Sequence, residues 1–165
     1  MEIREARQPD SAAIRDLVSA AFRSADHSSG TEAAIVEALQ NAGALTLSLV
    51  AEMADGIAGH IAFSPVTIDG AAGVWYGLGP VSVRPDRQRQ GIGTALIDSG
   101  LDRLRKAGAR GCVVLGNPGY YRRFGFVSDP ALRLEGVPPE YFMRLILAGP
   151  TPSGLVAYHG AFSAG

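Results

Sequence analysis

The stretch Val81-Ser82-Val83-Arg84-Pro85-Asp86-Arg87-Gln88-Arg89-Gln90-Gly91-Ile92-Gly93-Thr94-Ala95-Leu96 reads as a strand, a sharp turn and a helix opened by two glycines. The first N–H groups of a helix have no partner inside it, and the macrodipole places about half a positive charge at its mouth. Backbone amides alone can therefore hold a pyrophosphate there. Gly91 and Gly93 let the backbone approach closely, and Arg84, Arg87 and Arg89 are expected to add mobile positive charge beside the loop. Two rival phosphate motifs are excluded. The dinucleotide pattern needs a third small residue where Leu96 stands, and the P-loop needs a Gly-Lys-Ser/Thr that is absent.

Upstream of this stretch, strand-like runs at Thr46 to Met53, Ala58 to Ile68 and Val74 to Val83 are joined by the turn pairs Asp55-Gly56 and Asp69-Gly70, which predicts an antiparallel meander. Met1 to Ala6 alternates as a half-buried strand does. Asp10 then stands as the N-cap of a helix with Ile14, Leu17, Val18, Ala21 and Phe22 at helical spacing. Arg23 to Gly30 is polar and aperiodic. Thr31 caps a second helix with the stripe Ala34, Ile35, Ala38 and Leu39, ended by Asn41 and Gly43. Downstream, the helix after Gly91 presents Ile97, Leu101 and Leu104 on one face, stops at Gly108 and leads into the strand Cys112 to Leu115. Strand, helix, strand implies a parallel pair. Asn117-Pro118 then opens a short helix to Arg123, closed by Gly125, because Asn is a favoured N-cap and Pro needs no N–H at the first helical position. Further strands are expected at about Tyr141 to Leu147 and Gly154 to Tyr158, within the C-terminal segment 128–165.

At 165 residues, 47% of them hydrophobic, the chain predicts one domain over 1–165. Fifteen Lys plus Arg against sixteen Asp plus Glu give a formal charge of −1, so nothing draws the whole molecule to nucleic acid or to a membrane surface. Phosphate recognition must be local. Without a signal-like N-terminus or a run of ~18 apolar residues, a cytoplasmic protein is expected. The one cysteine, Cys112, can make neither an internal disulfide nor a cysteine cage, and His27, His60 and His159 are too scattered to suggest a metal site. Cys112 is expected to be an inert buried strand residue.

The central stretch resembles the coenzyme-A signature of the GNAT superfamily of N-acyltransferases, a strand followed by Q/R-x-x-G-x-G/A, with Gln88, Gly91 and Gly93 at its fixed positions. Tyr121-Arg122-Arg123-Phe124-Gly125-Phe126 is similar to that family's Y-x-x-x-G-F ending, and the two motifs stand in family order. The likeness covers about Ile3 to Val127. It implies an α/β (α+β) fold: a mixed, mostly antiparallel sheet flanked by helices, with a central parallel strand pair. It also implies acetyl-CoA as co-substrate. Main-chain groups of Val81, Ser82 and Val83 would run along the pantetheine arm, and the amides of Arg89, Gln90, Gly91, Ile92, Gly93 and Thr94 would hold the pyrophosphate. The implied reaction is N-acetylation of a small-molecule or peptide amine by direct attack in a ternary complex, and a homodimer is allowed.

An amine attacks a thioester only when neutral, and an alkyl ammonium with a pKa near ~10 must first lose a proton. The departing thiolate needs a donor. Tyr121 is the residue that the likeness puts in this role, with Tyr120 as competitor and a core aromatic as the plain alternative. Asn117 either contacts the coenzyme or simply caps its helix; many relatives carry the Asn several residues further before the Tyr. Those relatives also place a Glu on the strand before the signature, but Val74 to Pro80 has none. Glu32, Glu52 and His60 remain as bases, with Glu32 and His60 as acceptor-site residues. The competing class is a catalytically weak acyl-CoA-binding sensor or interaction module.

Overall fold

The computed structural model describes residues 1–23 and 31–163; the aperiodic stretch at 24–30, with His27, lies outside the described residues. Four strands precede the central loop or run into it: β1 (Glu2–Glu5), β2 (Leu47–Met53), β3 (Gly56–Ile68) and β4 (Ala71–Val83). Four more follow or flank: β5 (Gly111–Leu115), β6 (Leu132–Arg133), β7 (Phe142–Ile146) and β8 (Gly154–Tyr158). The α-helices are α1 (Ser11–Arg23), α2 (Glu32–Asn41), α3 (Ile92–Lys106) and α4 (Pro118–Tyr121). The sheet order is β1-β2-β3-β4-β5-β7, with β8 pairing both β3 and β6. Every neighbouring pair along β1-β2-β3-β4 is antiparallel, β4 and β5 are parallel, and β5 and β7 are antiparallel. The expected meander and its central parallel pair are both present.

The turns follow their chemistry. Asp69 and Gly70 both take positive φ, 51° and 78°, as the tight hairpin between β3 and β4 demands. At the end of α3, Gly108 sits at φ +90°, its N–H donating to Arg105 O while Ala109 N–H reaches Leu104 O, so the helix stops where the sequence places its glycine. Asp10 stands directly before α1, with its carboxylate taken by the Arg4 guanidinium at 2.8 Å and the Arg7 N–H at 2.7 Å. The chain at Pro118–Phe124 differs in detail from one short helix. The α-helix ends at Tyr121, residues Arg122–Phe124 tighten into a 3-10 turn, and Gly125 at φ +96° closes it.

Successive strand residues face opposite sides, which sorts the core into two layers. Leu49, Ile61 and Phe63 pack under Leu96, Ile97 and Leu101 of α3. Val50, one residue from Leu49, packs instead with Ile14, Val18 and Val36 of α1 and α2. The buried stripe of α2 is Ile35, Val36 and Leu39, so the larger Val36 goes inward while Ala34 and Ala38 stay half-buried. A third cluster, Val66, Trp75, Val113, Leu132, Phe142 and Val156, joins the C-terminal strands to the same face as α1 and α2.

Candidate active site

Beta4 and β5 part company at the middle of the sheet. Their pairing runs Trp75↔Gly111, Tyr76↔Cys112 and Gly77↔Val113 and stops there. Just beyond, the register of β4 on β3 slips: Ile61 lies opposite Val81 but Phe63 lies opposite Leu78, so β4 inserts one extra residue around the cis-linked Gly79-Pro80. A bulge bends a strand away from its neighbour. From here β4 keeps β3 on one edge, while no described strand pairs with its other edge, which leaves a V-shaped cleft against the end of β5. Arg84 N–H donates to Ala58 O on β3. Main-chain groups alternate along a strand, so Ser82 also turns its main chain toward β3, whereas Val81 and Val83 point theirs into the cleft. The cleft-facing edge is thus built from two of the three residues singled out in the sequence.

The cleft ends on the mouth of α3. Arg89 and Gly91 both have positive φ, 65° and 82°, with Gln90 between them on the ordinary side. Alternating handedness of this kind gathers successive N–H groups into a concavity suited to an anion. Gly91 is the residue before the first turn, and a Cβ there would meet nothing within 4 Å, so glycine is required by conformation rather than by crowding. At Gly93 a Cβ would lie 3.6 Å from Val83 Cγ2 and 3.7 Å from the Tyr120 hydroxyl, on the floor of the groove itself. Gln88, Arg89, Thr94 and Arg123 line the same groove. Gln88 Nε2 donates to Val83 O at 3.2 Å, folding the loop back on the strand. Two of the three arginines are not mobile charges. Arg84 binds Asp55 at 2.7 Å and Asp86 at 2.6 Å, and Arg87 binds Asp55 at 2.9 Å; the carboxylate of Asp55 is held down at about 2 by the two guanidinium groups. They brace the loop against the β2–β3 turn, and Arg89 alone of the three lines the groove.

The segment after β5 brings the tyrosines to the cleft. Asn117 Oδ1 accepts from Gly119 N–H at 2.8 Å, capping α4 as its residue type suggests. Tyr120 Oη lies 3.0 Å from Thr94 Oγ1, in the first turn of α3. The Tyr121 ring lies against Gly116, just past β5, and stacks edge-on to Phe126 at 5.9 Å, with a hydroxyl that meets no hydrogen-bond partner among the described residues. Burial pushes that hydroxyl up to about 12, with Tyr120 and Cys112 adding to the shift.

The acetyltransferase (GNAT) domain family matches residues 45–128, which hold the meander, the cleft, the α3 mouth and both tyrosines. A protein of Escherichia coli K12 described as the uncharacterized N-acetyltransferase YhbS is 37% identical over 144 residues, covering 82% of this chain and 85% of that protein. The chain belongs to the GNAT acetyltransferases. A GNAT family acetyltransferase from Brucella melitensis, solved in complex with acetyl-CoA, is 54% identical, with a TM-score of 0.88 over 98% of this chain and 97% of that one. YhbS itself, solved in complex with CoA, superposes at a TM-score of 0.90 with 34% identity over 98% and 91%.

The remaining residues singled out in the sequence are spread over the sheet and α2. Glu32 opens α2 and is half-buried, on the α1 and α2 side of the sheet. Glu52 is on β2 and accepts from Arg4 Nε at 3.3 Å, so it belongs to a surface ion pair with Asp10 close by. His60 is fully buried on β3, its Nε2 2.8 Å from Ser48 Oγ, and desolvation lowers its pKa to about 4. Its ring is held neutral and meets no solvent. Cys112 is buried with its thiol pushed well up by desolvation, an unreactive strand residue as expected. Arg123, a groove residue beyond those expected from the sequence, stacks its guanidinium 4.4 Å over the Tyr120 ring. The signal was its place three residues after Tyr120, one turn along the same short helical segment.

Proposed function

We propose that this chain transfers an acetyl group from acetyl-CoA to a primary amine, of a small molecule or a peptide, by direct attack in a ternary complex. The observation that carries the reading is the free β4 edge beyond Gly77 leading straight to the α3 mouth. Val81 and Val83 offer the pantetheine amides the main-chain partners that a neighbouring strand would offer. The amides from Arg89 to Thr94 take the pyrophosphate, helped by the exposed Arg89 and by Arg123 across the groove. Asn117, by capping α4, holds the tyrosines beside the end of β5.

In the transfer step the neutral amine nitrogen forms the C–N bond to the carbonyl carbon and the C–S bond breaks. Tyr121, kept protonated by burial, gives its proton to the leaving sulfur, and the proton shed by the amine restores the phenol through solvent. The balance is amine plus thioester to amide plus thiol. A thiol-release assay with acetyl-CoA and a panel of primary amines tests this reading. Amine-dependent release of one thiol per amide formed is expected; tight coenzyme binding with no release from any amine would instead favour a sensor.

A further inference from the structure

Tyr158 has no part in the chemistry above, yet it stands at the vertex of the cleft. It closes β8 and lies opposite Val66 of β3. From there its ring reaches across to β4: a Cβ on Gly77 would come within 2.9 Å of Tyr158 Cδ1 and overlap Cε1, so only glycine at position 77 admits the ring. Gly77 is the last residue at which β4 pairs with β5. The Tyr158 ring therefore covers the point where the two strands separate.

It does so from the side opposite Tyr121. Trp75, two residues before Gly77 and so on the same face, packs with Val66, Val113 and Val156, whereas Tyr121 packs with the cluster under α3. Phe162 braces the Tyr158 ring at 5.0 Å. Beside it, Ser64 lies directly opposite Gly77 on β3, buried, with an Oγ that has no partner among the described residues. The Tyr158 hydroxyl has no hydrogen-bond partner among the described residues either. Burial raises its pKa, with Cys112 and Tyr121 adding to the shift. A phenol so placed stays protonated and neutral.

We infer that Tyr158 is the acceptor-side contact of the transfer reaction, its hydroxyl accepting a hydrogen bond from the incoming amine N–H and turning the nitrogen lone pair toward the thioester carbon. This assignment rests on the acetyl-transfer reading. A planar thioester lying between separated strands shows its two carbonyl faces to the two sides of the sheet, so a nucleophile and a leaving group can be served from opposite sides. Tyr121 serves the sulfur, and Tyr158 the nitrogen. Tyr158 gains and loses no proton, so the balance of the reaction is unchanged. Ser64 offers a second polar atom on the amine side.

The direct test uses the full chain labelled with 3-fluorotyrosine, the Tyr158 resonance being assigned by its loss in Tyr158→Phe. The Tyr158 fluorine line is expected to move on adding acetyl-CoA and to take a different position with CoA, because only the former puts a carbonyl beside the ring. Identical positions with the two ligands overturn the inference. No thermal protection by either ligand would remove the acetyl-transfer reading itself, a distinguishable failure. Kinetics with hydroxylamine as probe acceptor give a second arm. Tyr158→Phe is expected to raise its KM by about tenfold while the dissociation constant of acetyl-CoA stays unchanged, since the ring remains over Gly77 and one hydrogen bond to the amine is lost. Unchanged kcat/KM for hydroxylamine in that variant contradicts the assignment.

Discussion

The Tyr120 hydroxyl lies 3.0 Å from Thr94 Oγ1, a bond that fastens α4 to the first turn of α3. Arg123, stacked on the same ring, donates from Nε to Tyr120 O at 3.1 Å. Tyr120 is thereby committed to the mouth of the helix, and its neighbour Tyr121 is the one left with an unengaged hydroxyl beside the end of β5. Adjacent tyrosines divide into a tied hydroxyl and an unengaged one because their side chains leave the short helix about 100° apart.

Tyr120→Phe removes the tie and leaves the Tyr121 hydroxyl in place. A lost hydrogen bond of about 0.5–1.5 kcal/mol predicts acetyl-CoA binding weakened by a few-fold, with the single-turnover rate at saturating coenzyme near that of the wild type. A collapse of that rate in Tyr120→Phe would move the acid role to residue 120.

Tyr121→Phe is the converse. Its ring still packs on Phe126 and Gly116, so coenzyme affinity holds, while the rate of the chemical step falls by a factor of about 10² to 10⁴. With the Tyr121 hydroxyl raised to about 12, the wild-type rate should climb with pH as the amine loses its proton and show no fall from tyrosine ionisation up to about pH 10. Single-turnover rates across that range check both points.

His60 makes stability depend on pH. Its folded pKa of about 4 lies below the usual 6.5, so the unfolded state binds the extra proton between those values. The stabilisation is complete above about pH 6.5 and is lost as pH falls through about 4, amounting to on the order of 3 kcal/mol. Urea unfolding of wild type and His60→Gln at pH 7 and pH 4.5 measures it. The wild type should lose much more between the two pH values than the variant, and equal losses would remove His60 as the cause.

Gly100 sits mid-helix in α3, where alanine would ordinarily gain about 1 kcal/mol in propensity. Here a Cβ would overlap the ring of fully buried Phe63. Overpacking of about 1–3 kcal/mol wins, so Gly100→Ala should lower the melting temperature. A rise would mean that Phe63 relaxes freely.

Local signals carried the fold a long way. The Asp-Gly pairs, the apolar face of α3, Gly108 and the Asn117 cap each act within a few residues, so strand and helix positions were legible from the chain alone. What escaped depends on distant partners. Asp55 reads as a turn residue, and only the fold brings it to Arg84 and Arg87, 29 and 32 positions away, turning expected free charge into a brace. Gly79-Pro80 inside a strand run was the sign of the bulge that opens the cleft, since both residues weaken a regular ladder. Tyr158 ends an ordinary C-terminal strand, and nothing near it in sequence points to Gly77.

The central claim, that the helix mouth at Gly91–Thr94 binds the pyrophosphate of acetyl-CoA, is tested most directly by calorimetric titration of acetyl-CoA into the wild type and Gly93→Val. A valine there extends from the groove floor beside Val83 and Tyr120 into the space the phosphates would take, and its Cβ has room at 3.6 Å and 3.7 Å from those two side chains. The account predicts saturable one-to-one binding to the wild type, with thermal protection of roughly 2.7 kcal/mol at about 100 times the dissociation constant, and loss of both in a folded Gly93→Val protein. Undiminished acetyl-CoA affinity in that variant, or none in the wild type, would contradict it.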